Sequence, residues 1–408
     1  MRAIAVRAAR AGGQAGLAAL LVLGSAVGAL AQPLEGQDAW AGRPAIRGAT
    51  VGPIESSLYP GRGYGSPSSD ALNAFLVREG ATWISITPFA RIYDLDSTAL
   101  QMDFEAPYET NREAVRTMIA QAHRRGLKVL LIPHLWVDHG DGWRGEIDPG
   151  SPEGWEAYQA SYRAMILAWA RDAADAGADA FSIGVECKSW SYRFGGFWDG
   201  LIAEIRSFYP GYLTYSANWD EAEDVVFWEG LDFIGVNAFY PLSDHPRATY
   251  AEYVASAERV RDGLADLSAV VERPVLFVEV GYTNRVDAAF EPWLWPEWVD
   301  EVVLDEVEQA RALEAVLTTF GREEWFAGWF VWRYYADLDD ASQEAWWGFS
   351  PHAKRSERTL RWLYGSRFAV AGSPYALGPI VDRPEVRWLD LVREADAWTD
   401  SSVPPRVP

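Results

Sequence analysis

The chain has 408 residues and a formal net charge of −22, with 58 acidic side chains against 36 basic ones. So acidic a surface repels nucleic acid and anionic membranes, and it suits a soluble protein, expected to be a monomer, acting on a neutral substrate. A single cysteine, Cys187, excludes an internal disulfide, so an apolar core must hold the fold.

In chain order, residues 1–31 read as a signal peptide. Arg2, Arg7 and Arg10 form a basic start, Gly16 to Leu30 is small and apolar, and Ala29-Leu30-Ala31 offers an A-x-A cleavage site. Cleavage there removes three arginines and no acids, which takes the charge from −22 to −25. The expected location is secreted or periplasmic, with no stable membrane association afterwards. A polar linker occupies residues 32–44. Strands are then predicted near Ile46–Ile54, Thr82–Ile92, Lys128–Val137, Ala180–Cys187, Tyr212–Ala217, Asp232–Tyr240, Pro274–Tyr282 and Trp325–Tyr334. Helices are predicted at Ser69–Glu79, Asn111–Arg125, Pro152–Ala176, Gly195–Phe208, a short Glu221–Trp228, Tyr250–Leu267, Leu304–Phe320 and Lys354–Tyr364. Gly80, Gly126 and Gly177 stand where helix stops are needed.

Strict alternation of strand and helix requires a parallel sheet. Eight such units in residues 45–364 fit a (β/α)8 TIM barrel with long aromatic-rich loops on its C-terminal face. An open doubly wound sheet lacks its Gly-rich first turn here. Residues 365–408 read as a C-terminal extension whose end is disordered. The loops after the third, seventh and eighth strands carry Trp143 and Arg144, then Trp293, Trp295 and Trp298, then Trp346 and Trp347. Exposed indoles make flat platforms for sugar rings, and packed ones fill space between loop and barrel.

Glu186 and Glu279 close the two cleanest strand-like runs, Phe-Ser-Ile-Gly-Val-Glu and Pro-Val-Leu-Phe-Val-Glu. A carboxylate on an apolar strand is poorly solvated and needs a partner or a task. Period-two parity places Ser182, Gly184 and Glu186 on one inward face, and Val275, Phe277 and Glu279 on another. Retaining glycoside hydrolysis needs two carboxyl groups about 5–5.5 Å apart. In that reading Glu186 is the acid/base, its pKa raised by burial and by its neighbour's charge, and Glu279 is the ionised nucleophile. His134, Asn218, Trp219, Asn237, Tyr240, Tyr282 and Trp332 lie near strand ends and are candidates for sugar contacts. Parity favours Phe239 over Tyr240 as the inward residue of its strand.

No metal or cofactor is expected: His134, Asp138, His139 and Asp141 cluster without a zinc spacing. No lysine ends an inner strand for Schiff-base chemistry, and no G-x-S-x-G elbow is present. The rival outside catalysis is a carbohydrate-binding protein that kept its cleft.

Four segments resemble glycoside hydrolase family 113, within the clan of retaining (β/α)8-barrel glycosidases. They are Gly126–His134 with Trp143-Arg-Gly145; Ile183-Gly-Val-Glu186; Leu213–Trp219, preceded by Ile205-Arg and Tyr209; and Phe233–Leu242. Leu276–Tyr282 and Trp347–Pro351 extend the match. The resemblance implies cleavage of β-1,4-mannan by double displacement, with Glu186 as acid/base and Glu279 as nucleophile. Many members of the wider clan have Asn just before the acid/base, where this chain has Val185. The lysine near the end of the family's last motif is matched only approximately, by Lys354. β-Mannosidase and β-glucanase activity on the same barrel remain alternatives.

Overall fold

The computed structural model describes residues 38–39, 43–52, 61–104, 106–140, 142–294, 302–339 and 347–365. The expected signal peptide, most of the expected linker, Trp295, Trp298, Trp346, Asp141 and the expected extension after Gly365 lie outside these residues.

Eight parallel strands close into a barrel: β1 (Ile46–Gly52), β2 (Trp83–Ile86), β3 (Lys128–Leu131), β4 (Ala180–Val185), β5 (Tyr212–Asn218), β6 (Ile234–Asn237), β7 (Val275–Val280) and β8 (Phe326–Tyr335). They pair in chain order, with β8 beside β1, so the expected (β/α)8 fold is the one observed. The helices are α1 (Pro67–Glu79), α2 (Tyr108–Arg124), α3 (Pro152–Ala176), the short α4 (Lys188–Ser191), α5 (Gly195–Arg206), α6 (Tyr250–Val271), α7 (Glu306–Phe320) and α8 (Arg355–Leu363).

Local chemistry explains the helix ends. Ser66 and Ser151 accept hydrogen bonds from Ser69 N and Gly154 N, each followed by proline in the first turn of α1 and α3. Gly80 and Gly177 end those helices at φ 102° and 76°, a conformation that costs other residues about 1–2 kcal/mol. The expected helix Glu221–Trp228 does not form. Glu221 instead turns inward and accepts hydrogen bonds from Tyr215 Oη and Asn218 N, leaving only a 3-10 turn at Trp228–Gly230.

Two predicted strands are each broken in two. Pro88 and Pro133 cannot donate to the ladder, so β2 and β3 stop just before them. The chain resumes as Phe89–Ile92 and His134–Val137, which pair with each other in parallel and, through Phe89–Ile92, with Leu100–Gln101. This three-stranded side sheet stands at the C-terminal rim of the barrel.

Inside the barrel, Leu130, Ala180, Val185, Leu276, Val278 and Phe330 form one apolar cluster. Phe181, Ile183, Val275, Phe277 and Val331 belong to the outer layer, beneath the helices.

Candidate active site

The inner and outer sets contradict the simple parity reading of β4 and β7. Val185 points into the barrel, whereas a Cβ on Gly184 would meet Tyr162 Oη of α3 at 2.4 Å. Val275 and Phe277, expected inward, pack outward. One-residue register shifts account for the change. Ser182 pairs with Thr214 and Val185 with Ser216, so β4 spends three steps where β5 spends two. Val236 pairs with Phe277 and Asn237 with Glu279, which inserts one residue into β7. β8 has the same device, because Val331 pairs with Ala49 but Tyr334 with Val51. Bulges re-aim side chains at barrel rims, and here they bracket Glu186, Glu279, Trp332 and Arg333.

Glu186 follows β4 with a left-handed backbone, φ 50°, which a non-glycine residue adopts only when its surroundings enforce it. The enforcement is visible. Glu186 N donates to Ser216 O at 2.8 Å, and Cys187 N donates to Tyr215 Oη at 2.6 Å. Tyr215 Oη in turn donates to Glu221 Oε1 at 2.5 Å. Glu221 is buried, and that burial lifts its carboxyl to a pKa of about 7.

Three donors converge on the Glu186 carboxylate. Asn237 Nδ2 donates to Oε1 at 2.9 Å, while Trp143 Nε1 and Arg144 Nη2 donate to Oε2 at 3.0 and 2.7 Å. The loop supplying two of them is shaped by Gly145, whose Cβ would fall 2.1 Å from the Trp143 ring. Trp143 N is held by Glu146 Oε2, and Ser189 Oγ of α4 ties the turn through Ile147 O.

Glu279 has no such set of donors. His134 Nε2 lies 3.2 Å from its Oε1, but the alignment falls short of a hydrogen bond at either atom. Both side chains are buried. Burial drives His134 well below the usual imidazole value, aided by the charges of Arg144 and Arg333, so the ring is neutral and the contact is not an ion pair. Burial also lifts Glu279 well above the usual carboxylate value. The charge of Glu186 adds to that rise, and Arg144 and Arg333 oppose it. The carboxyl that burial raises is therefore that of Glu279, the residue expected to be the ionised nucleophile.

Trp332 is buried and lies nearly parallel to His134, with 6.0 Å between ring centroids and 14° between planes. The Arg333 guanidinium sits 4.9 Å from the Trp332 ring centroid and donates to Tyr335 Oη at 3.1 and 2.7 Å. Gly52 leaves room for it, since a Cβ there would meet Arg333 Cδ at 2.9 Å.

The structure therefore gathers Glu186, Glu279, His134, Trp143, Arg144, Asn237 and Trp332. Four expected contacts lie elsewhere. Asn218 Nδ2 donates to Asp220 rather than toward Glu186. Trp219 stacks on Trp293 at 5.6 Å and 12°. Tyr240 packs outward on Phe277 and Trp219, in keeping with the parity argument for Phe239. Tyr282 Oη donates to Tyr240 O, so its hydroxyl bridges two loops instead of meeting the nucleophile. His139 lies against Tyr93 and Asp138 pairs with Arg91, so neither joins His134. Sequence reading passed over Arg333, although an arginine inside Phe-Val-Trp-Arg-Tyr-Tyr is the same signal that exposed the glutamates. It also passed over Glu221, which looked like an ordinary helix-start acid.

The family model for glycoside hydrolase family 113 matches residues 61–351. Among solved structures, a complex of a GH113 β-1,4-mannanase is 24% identical, with a TM-score of 0.67, covering 79% of this chain and 99% of that one. The GH113 β-mannanase AaManA from Alicyclobacillus acidocaldarius, in complex with ManMIm, is 25% identical, with a TM-score of 0.66, covering 79% and 97%. No curated protein matches the chain by sequence. With the family's model spanning most of a closed eight-stranded barrel and its carboxylate pair, this chain belongs to glycoside hydrolase family 113.

Proposed function

We propose that this glycoside hydrolase cleaves β-1,4-linked mannose-containing polysaccharide or oligosaccharide with retention of anomeric configuration. The observation that carries the reading is the pairing of Glu186 and Glu279 from the fourth and seventh strands, electrostatically coupled in one buried site. The mannan specificity rests on the structural likeness to GH113 β-mannanases.

In the first step Glu279 attacks the anomeric carbon while Glu186 gives its proton to the leaving oxygen. In the second, Glu186 takes a proton from water as that water displaces Glu279 from the sugar. Arg144 and Arg333 favour the ionised form of Glu279 that attack requires. Neutral His134, beside Glu279, offers a hydrogen bond to the reacting sugar. Trp332 supplies an apolar floor next to it.

One observation favours the reverse assignment of roles. Burial raises the carboxyl of Glu279, and three donors hold the Glu186 carboxylate. The first assignment therefore requires Glu279 to lose its proton before attack, which the charges of Arg144 and Arg333 favour. We further propose export, on the basic start and A-x-A site of residues 1–31.

The test is a screen on mannan, glucomannan, cellulose and xylan oligosaccharides, reading product length and anomer. The expected result is cleavage of mannan with a retained product. Preference for β-glucan, or release of single mannose units only, would replace the substrate class. Binding without cleavage would favour the non-catalytic rival.

A further inference from the structure

The side sheet beyond Pro88 and Pro133 has two unlike faces. Ala90, Ile92 and Leu135 pack into the outer core. The opposite face carries Phe89 paired with His134, then Arg91 paired with Trp136, in parallel register. Alternation puts His134 and Trp136 on the same side, about 7 Å apart along the strand. An unbroken series of ring contacts follows. His134 lies 5.0 Å from Phe89, Phe89 stacks on Phe104 at 5.2 Å and 27°, and Trp136 meets both phenylalanines edge-on. The series starts beside Glu279 and Trp332 and ends in solvent, with Trp136 48% exposed. Arg91 lies over Phe104 and pairs with Asp138 at 3.4 Å, so charged hydrogen-bonding groups flank the rings.

A large indole left half-open at the end of a ring series that begins beside the carboxylates offers a flat face to a ligand. Continuity with the carboxylate site and flanking donors and acceptors fit a neutral pyranose, whose C–H face stacks on rings while its hydroxyls meet polar groups. We propose that Phe104 and Trp136, with Arg91 and Asp138, form a distal saccharide subsite that holds sugar units of the same chain beyond the reacting ring. This deepens the proposed function and rests on it.

The experiment compares the full-length enzyme with Trp136→Ala, Phe104→Ala and Trp136→Phe on β-linked oligosaccharides of two to six units, using the series the wild type cleaves. The expected result is about a tenfold loss of kcat/KM on five- and six-unit substrates for Trp136→Ala, mostly in KM. Two-unit substrates should change less than about twofold, Phe104→Ala should show the same length dependence, and Trp136→Phe should recover most of the loss. An equal loss at every length, or no loss at any, would overturn the subsite alone. A wild type that cleaves none of the series would overturn the reading of the active site, and the subsite with it.

Discussion

Glu186 and Glu279 are the same residue type, each placed by a strand register shift and each buried, yet their surroundings are opposite. Glu186 sits in a cage of three donors, one of them a guanidinium at 2.7 Å. Glu279 sits beside a neutral imidazole, with one oxygen lacking a hydrogen bond and burial forcing its pKa upward. Giving two carboxyls unlike surroundings is how one site runs acid and nucleophile chemistry together. Two of the three donors to Glu186, Trp143 and Arg144, come from the loop after His134–Val137, whereas Glu279 lies beside His134 of the side sheet.

Removing either carboxylate tests this difference most severely. Glu279→Ala should lower kcat by at least about 10⁴-fold on every substrate. Glu186→Gln should cost on the order of 10²–10⁴-fold on natural chains, and much less on aryl glycosides whose leaving group needs no proton. Equal losses on both substrate types would put the acid elsewhere.

Arg144→Ala should come next, with a fall in kcat/KM of about 10- to 100-fold, as for loss of a charged hydrogen bond of about 1.5–3 kcal/mol. Arg144 opposes the rise of Glu279, so its loss lets the Glu279 pKa climb further. The acid limb of the pH–rate profile should therefore move to higher pH, and a shift downward would contradict the account. Gly145→Ala should reproduce a milder form, about tenfold, by displacing the Trp143 ring from Glu186.

The remaining effect concerns stability rather than rate. Folded Glu221 keeps its proton to about pH 7, above the ordinary carboxyl value, so its contribution is complete below about pH 4.5 and is lost as pH rises through 7. The size is on the order of 3 kcal/mol. Glu308, raised to about 7 beside Tyr253, acts in the same direction. Glu221→Gln should flatten the decline of Tm between pH 5 and pH 8 without abolishing it.

Much of this was legible in the chain. Eight strand–helix units and helix-stop glycines announced the barrel, because period and capping are local properties. The glutamates were legible as charges on apolar strands. Their inward direction, however, was inferred from a parity that the structure does not keep. Phe277 and Gly184 face outward, and register shifts with a left-handed Glu186 restore the aim. A bulge depends on the neighbouring strand's register, so it leaves no period in one strand's sequence. The split of two strands was missed, although Pro88 and Pro133 carry its signal, and nothing local announces the sheet that their second halves build. Tyr240 packs on Phe277 and Trp219, and Tyr282 donates to Tyr240 O, contacts made beyond the strand ends that no period in the sequence announces.

The most direct test of the central claim is covalent trapping. A 2-deoxy-2-fluoro β-mannosyl fluoride slows both steps but leaves a good leaving group, so the glycosyl-enzyme should accumulate. Digestion and mass spectrometry should place the sugar on Glu279. A label on Glu186 would reverse the two roles, and an unlabelled enzyme that releases an inverted product would contradict double displacement altogether.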